Sequence, residues 1–232
     1  LMPFVTTLSV FLSMRALEQV RTDIAYPGLN VKIVATGGGL SYGALGPTHQ
    51  GLEDLSLMRA VAQMVVMAPA DAAETRSALK AAARYNGPVY IRVGRGPVPM
   101  IHAEDEVPGF QIGRAMEMRR GKDVALLATG PILGTALQAA EELACSGIEA
   151  CVLSFPTVKP LDEAAVLRAA NETRGIVTLE DNRLTGGFGS AIAELLGRTR
   201  PTALRMIGMP DVYPVVGNPQ ALYREYRMDV PA

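Results

Sequence analysis

The segment Gly46-Pro47-Thr48-His49-Gln50 sets one of the chain's two histidines in a glycine-rich loop, directly ahead of the helix-like run Leu52-Glu53-Asp54-Leu55-Ser56-Leu57-Met58-Arg59. Glycine lets backbone approach a ligand closely. An imidazole in such a loop can donate or accept a proton near neutral pH, or hold a substrate oxygen. The plainer alternative is a polar loop histidine bonded to its own backbone. The other histidine, His102, falls among Pro, Gly and acidic residues and reads as a solvated surface residue. Cys145 and Cys151 form no C-x-x-C pair and have no histidine cluster beside them. They read as buried, reduced thiols in a reducing cytoplasm rather than as a disulfide or a metal site.

The elements that must position His49 alternate between strand and helix. Pro3 to Thr7 is extended, and Phe11 to Ile24 repeats apolar residues at helical spacing up to Tyr26-Pro27-Gly28. Asn30 to Ala35 is a β-branched strand that runs into Gly37-Gly38-Gly39. Strands follow at Met64–Ala68 and Val89–Val93, with helices over Leu52–Ala60 and from Asp71, where Asp71 and Glu74 form a D-x-x-E box. Residues 97–121 break the rhythm and read as a linker. The alternation then restarts. Strands are expected at 124–128, 150–154, 176–179 and 203–207, and helices at 131–145, 162–170 and 190–196. Glu180-Asp181-Asn182 sits at a strand end, where capping the helix that begins near Gly187 and shaping an interface is the expected role.

Continuous apolar strands alternating with helices imply sheets covered on both faces. The expected fold is therefore α/β: two three-layer α/β/α domains with mainly parallel sheets, over residues 1–96 and 122–232. The first domain shows four strands and three helices, fewer than is usual for an open sheet of this kind, which suggests a further N-terminal piece. Of 232 residues, 22 are basic and 23 acidic, a balance that argues against nucleic acid or an anionic membrane as partner. No apolar run approaches the ~20 residues of a membrane span.

Taken in order, these motifs resemble the C-terminal half of the transketolase family, enzymes dependent on thiamine diphosphate. The matching residues begin with Pro3-Phe4-Val5-Thr6-Thr7, Arg15-Ala16-Leu17-Glu18-Gln19 and Gly46-Pro47-Thr48-His49-Gln50. They continue through Ala68-Pro69-Ala70-Asp71, Gly87-Pro88-Val89-Tyr90-Ile91-Arg92, Lys159-Pro160-Leu161-Asp162 and Gly186-Gly187-Phe188-Gly189. The resemblance implies a pyrimidine-binding domain followed by the family's C-terminal domain. It implies thiamine diphosphate as cofactor, with Mg2+ or Ca2+ and the diphosphate held by a partner, because no Gly-Asp-Gly followed by asparagine occurs here. The partner would be an N-terminal transketolase subunit, in an α2β2 heterotetramer or around a homodimer core, acting on a small-molecule substrate.

By the same resemblance, Leu8, Phe11 and Met14 line the aminopyrimidine pocket, with Phe11 stacking on the ring. His49 faces the substrate as the catalytic histidine, and Arg95 holds a substrate phosphate. An arginine at a strand end can fork onto phosphate or carboxylate, although a solvated surface arginine is the plain alternative. The family's catalytic glutamate belongs upstream of Pro3. Two departures stand out. Leu45 occupies the place of a sugar-reading aspartate, and Gly37-Gly38-Gly39 stands where a basic residue is expected. Both remove polar grip on a sugar phosphate, which implies a non-standard donor. The expected function is transfer of a two-carbon ketol or acyl unit. The rivals are a 2-oxoacid dehydrogenase β subunit, a deoxyxylulose-phosphate synthase relative, and a non-catalytic scaffold subunit.

Overall fold

The computed structural model describes residues 1–96 and 98–231; Pro97, at the start of the expected linker, and Ala232 lie outside the described residues. Two five-stranded sheets carry the chain. The first has the order β1-β2-β4-β3-β8, with β1 at Phe4–Leu8, β2 at Lys32–Thr36, β3 at Val65–Met67, β4 at Val89–Val93 and β8 at Thr157–Lys159. The second has the order β10-β9-β6-β7-β5. Its strands are β5 at Met116–Arg119, β6 at Val124–Thr129, β7 at Ala150–Ser154, β9 at Ile176–Arg183 and β10 at Leu204–Met209. Pairing is parallel except for β3 with β8 and β5 with β7. The expected mainly parallel α/β architecture is present.

Strands β4 and β6 are buried along most of their length, which is why they read as unbroken apolar runs and not as alternating ones. The helices are α2 at Asp54–Ala60, α3 at Ala72–Arg84, α4 at Leu133–Cys145, α5 at Glu163–Glu172, α6 at Phe188–Thr199 and α7 at Pro219–Glu225. The expected helix after β1 is a composite. A short α-helical piece, α1 at Leu17–Gln19, lies between π-helical turns at Phe11–Arg15 and Val20–Ala25. Such wide turns are rare and concentrate at functional sites.

Two strands correct the sequence reading. Residues 116–119 of the expected linker form β5, antiparallel to β7, so the connecting stretch ends near residue 115. The three residues of β8 belong to the second half in sequence but add an edge to the first sheet. Ala68 N–H donates to the carbonyl of Pro156 at 2.9 Å, and Lys159 Nζ donates to the carbonyls of Arg59 and Val61 at 2.9 and 2.6 Å. The hydrophobic core follows the same path. Leu55, Met58 and Val66 from the first half cluster with Phe155, Val158, Phe188 and Ile192 from the second. Phe155 and Phe188 meet at 5.2 Å between ring centroids, a contact worth ~1 kcal/mol beyond area burial.

The D-x-x-E box closes differently from the expectation. Asp71 Oδ1 accepts from Glu74 N–H at 2.9 Å, but Glu74 reaches past it to Ala70 N–H at 2.7 Å and to the Ser154 hydroxyl at 2.7 Å. The free Asp71 oxygen, Oδ2, draws in the connector. It accepts from the amides of Ile101 and His102 at 2.9 Å, and the His102 ring nitrogen Nδ1 lies 3.0 Å away. His102 is therefore a half-buried anchor and not a solvated residue, its side chain only 14% exposed. The thiols also differ from expectation: Cys145 is exposed at the end of α4 and Cys151 is half-buried. Among the described residues no helix is long and apolar enough to cross a membrane.

Candidate functional site

The loop between β2 and α2 carries His49, and its shape follows from where glycine stands. Gly39 N–H donates to the carbonyl of Gly51 at 2.7 Å, which closes the loop on itself. A Cβ on Gly37 would overlap the Tyr42 ring, one on Gly38 the Arg92 side chain, and one on Gly39 the Asp181 carboxylate. The triple glycine is thus a steric requirement: backbone lies directly against three side chains. At the other end of the loop, His49 N–H donates to the carbonyl of Gly46 at 3.0 Å, and the Thr48 hydroxyl sits 2.9 Å from His49 Nδ1.

His49 is half-buried, and its ring meets two aromatics. Phe11 approaches at 5.7 Å, edge-on at 65°, and Tyr42 at 6.1 Å. Tyr42 in turn carries Arg95, whose guanidinium lies 4.4 Å above its ring. Phe11, His49, Tyr42 and Arg95 therefore form one continuous row. Three of the four are sequence candidates. Tyr42 is an addition that sequence reasoning missed, because an aromatic in a loop carries no pattern of its own. Phe11 is half-buried, with Arg15 stacked 4.4 Å from its centroid. Leu8 ends β1 beside Thr36 of β2 and is half-buried, while Met14 is 49% exposed and Leu45 51% exposed. These four apolar side chains are not sealed into the core.

Beneath the loop lies a buried ionic network. Arg92, 6% exposed, sits 3.7 Å from Asp54 Oδ2 and 3.7 Å from Asp181 Oδ2, and donates to the Asp181 carbonyl. The Tyr90 hydroxyl donates to Asp54 at 2.8 Å, and the Tyr223 hydroxyl donates to Asp181 at 2.6 Å. Leu40 N–H also donates to Asp181, at 3.1 Å. Burial raises the pKa of both aspartates above the ordinary carboxylate range, although Arg92 opposes the rise. Burial works against the charge on Arg92, but Asp54 and Asp181 outweigh it and hold its pKa above normal. A charged residue directly after the apolar run Val89-Tyr90-Ile91 is the signal that could have exposed this network, since a buried arginine needs carboxylates.

Glu180 and Asp181 take the structural roles expected of them. Glu180 accepts the N–H groups of Phe188 and Gly189 at 2.7 and 2.8 Å and so caps α6, and burial pushes its pKa up to about 8. Asp181 joins the two halves through Leu40 and Arg92. Among the described residues no group of three or more His, Cys, Asp or Glu side chains is placed to hold a metal ion.

Comparison with known proteins adds a family context. The sequence matches the transketolase pyrimidine-binding domain over residues 1–100 and the transketolase C-terminal domain over residues 113–232. It is 45% identical over 215 residues to the 6-deoxy-6-sulfo-D-fructose transketolase subunit SqwH of Clostridium sp. (strain MSTE9), covering 93% of this chain and 66% of that protein. It is 39% identical over 226 residues to an apulose-4-phosphate transketolase subunit of Phocaeicola vulgatus, covering 97% of this chain and 72% of that one. The chain thus spans about two thirds of the length of these curated relatives. A solved split-gene transketolase, described as an inactive beta4 tetramer, superposes with a TM-score of 0.92 at 40% identity, over 99% of this chain and 73% of that one.

Proposed function

Because this chain belongs to the transketolase family, spanning its pyrimidine-binding and C-terminal domains, we propose that it is the pyrimidine-side subunit of a split, thiamine-diphosphate-dependent transferase of two-carbon units. The observation that carries this reading is the open row of Phe11, His49, Tyr42 and Arg95. Phe11 is half-buried and is flanked by the apolar Leu8 and Met14, a surface that fits a flat aromatic ring. Thiamine diphosphate, when bound, supplies the nucleophilic carbon that accepts the two-carbon unit. The chain's own residues do the rest. Leu8, Phe11 and Met14 hold the aminopyrimidine and keep water from it. His49 donates a hydrogen bond to the donor's carbonyl or hydroxyl oxygen, where negative charge develops. Arg95, propped on Tyr42, offers its N–H edge to an anionic group of the substrate.

The diphosphate and its Mg2+ or Ca2+ belong to a separate N-terminal subunit in this reading. An α2β2 assembly fits the relatives named as subunits, and the split-gene neighbour, an inactive beta4 tetramer, fits a subunit that needs its companion for activity. Leu45 and the triple glycine support a donor other than an ordinary pentose phosphate, and the two relatives are themselves named for 6-deoxy-6-sulfo-D-fructose and apulose 4-phosphate. The row favours an enzyme over a decayed scaffold, since a scaffold has no need to keep half-buried Phe11 and His49 in line with Tyr42 and Arg95.

The test is reconstitution with the companion subunit and titration with thiamine diphosphate. Phe11→Ala is expected to weaken cofactor affinity by about tenfold, the equivalent of one stacked ring. Unchanged affinity, or no binding by the unaltered complex, rejects the assignment. Full-rate turnover of ordinary pentose phosphates rejects the non-standard donor.

A further inference from the structure

A second cluster of titratable side chains gathers where the connector crosses the start of α3. Asp71 and Glu74 come from the N-cap and first turn of that helix, His102 from the connector and Ser154 from the end of β7. His102 Nδ1 lies 3.0 Å from Asp71 Oδ2, and its Nε2 lies 3.8 Å from Glu74 Oε1, so one imidazole spans both carboxylates. Glu74 Oε1 also accepts from the Ser154 hydroxyl at 2.7 Å, while Asp71 Oδ2 accepts the connector amides of Ile101 and His102 at 2.9 Å. The cluster thus ties the first half, the connector and the second sheet at one point.

Both carboxylate side chains are fully buried. Among the described residues no cation other than His102 pairs with either of them. The remaining charges that join α3 to the connector, Arg76 with Asp105 and Lys80 with Glu106, pair with one another in the open. Two buried carboxylates around a neutral imidazole would carry two uncompensated charges, a costly arrangement. One proton on the trio halves that charge and a second cancels it, so the three groups titrate as a unit. Burial pushes the Glu74 carboxyl above the ordinary glutamate range, against the Ser154 hydroxyl and the Ala70 N–H. Burial also pushes Asp71 up, but the N–H groups of Glu74, His102 and Ile101 and the His102 ring outweigh it and hold its carboxyl below the ordinary range. Asp71 is therefore the fixed anion, and Glu74 is the group whose charge appears as pH rises.

We propose that Asp71, Glu74 and His102 form a proton-operated clasp on the connector, shut while the trio holds its protons and opening as they leave. At low pH a charged imidazole bridges the Asp71 carboxylate and a neutral Glu74. An imidazole gives up its charge around neutrality. As Glu74 then ionises, two carboxylates confront each other across a neutral ring. The sign is the same for both steps. Glu74, with a folded pKa above its unfolded one, stabilises below the ordinary glutamate range and loses that contribution as pH climbs through the folded value. The opening is local: it frees the amides of Ile101 and His102 while β4 and β6 stay closed.

Amide hydrogen exchange of the full 232-residue chain, read by mass spectrometry at pH 6 and pH 8.5, follows the connector segment holding Ile101 and His102 beside reference segments in β4 and β6. Each variant is compared with the unaltered chain at the same pH, which cancels the other titrating groups. His102→Gln keeps a donor for Asp71 but carries no charge. It is expected to lower connector protection at least about fivefold at pH 6 and to stay within about threefold of the unaltered chain at pH 8.5. Glu74→Gln keeps the shape without the charge. It is expected to raise connector protection at least about fivefold at pH 8.5 and to stay within about threefold at pH 6. Intact protection in β4 and β6 shows that a variant is folded, and His102→Gln decides by itself if Glu74→Gln is not. The proposal is overturned if His102→Gln matches the unaltered chain at pH 6, or loses protection equally at both pH values as a plain packing contact would. It is also overturned if a folded Glu74→Gln is no better protected than the unaltered chain at pH 8.5.

Discussion

Replacing Arg92 by methionine tests whether the loop bearing His49 rests on the ionic network beneath it. Each of the two 3.7 Å pairs, to Asp54 and to Asp181, carries about 4 kcal/mol of Coulomb attraction at an effective dielectric constant of about 20. Removing the guanidinium also removes the cost of burying it, so the net loss is smaller than the sum, about 3–5 kcal/mol, as for other buried pairs broken on one side. The loss has a pH signature. Burial already holds both aspartates above the ordinary carboxylate range with Arg92 in place, and without it both rise further. A carboxyl whose folded pKa exceeds its unfolded value, ~3.9 for aspartate, stabilises fully below that value and loses the contribution as pH climbs through the folded pKa. The variant's unfolding free energy must therefore fall more steeply with rising pH than that of the unaltered chain. Urea unfolding followed by far-UV circular dichroism at pH 5 and pH 8 reads this directly. A larger deficit at pH 8 than at pH 5 is expected, together with partial recovery when Asp181→Asn is added to the variant. A deficit below about 1 kcal/mol at pH 8, or equal deficits at both values, refutes the reasoning.

Glu180→Gln should flatten the pH dependence of stability. The raised pKa of about 8 means that Glu180 stabilises the fold below the ordinary glutamate range and loses that contribution as pH rises through about 8. Melting temperatures recorded from about pH 5 to 9 should slope downward for the unaltered chain and less so for the variant; identical slopes would discount the buried cap. Gly37→Ala places a Cβ in the Tyr42 ring at a residue with φ of 71°, so a loss of about 1–3 kcal/mol is expected in chemical denaturation. A neutral result would mean that Tyr42 moves freely and does not prop Arg95.

Much of this is legible in sequence because it depends on periodicity or on single-residue chemistry. The strands 65–67, 89–93, 124–129 and 150–154 are buried along most of their length and read as apolar runs. Asp71 and Asp162 announce their helices by capping them. Phe11, His49 and Arg95 follow from motif order, and the structure joins them through Tyr42, which no motif flags. What stays hidden depends on partners distant in sequence. Thr157-Val158-Lys159 is too short to carry a pattern, and its pairing with β3 is a tertiary event. Met116 to Arg119 mixes charge and methionine because β5 lies at a sheet edge, so it reads as connector. His102 reads as solvated because nothing in its neighbourhood points to Asp71, which lies 31 residues upstream. The wide turns around Phe11 leave the helical repeat intact and so cannot be told from an ordinary helix by spacing.

The edge that Thr157–Lys159 adds to the opposite sheet makes the molecule a laced pair and not two beads on a thread. A polypeptide ending in the connector would expose the flank of β3, a bare ladder of amides and carbonyls of the kind that recruits other chains into aggregates. A later half made by itself would carry an orphan ribbon and a lysine, Lys159, without the carbonyls that receive it. A chimera of two relatives joined in the connector is therefore expected to fold well when the borrowed half brings a three-residue ribbon that suits its new neighbour β3. Heat should melt the two halves together, as one cooperative block.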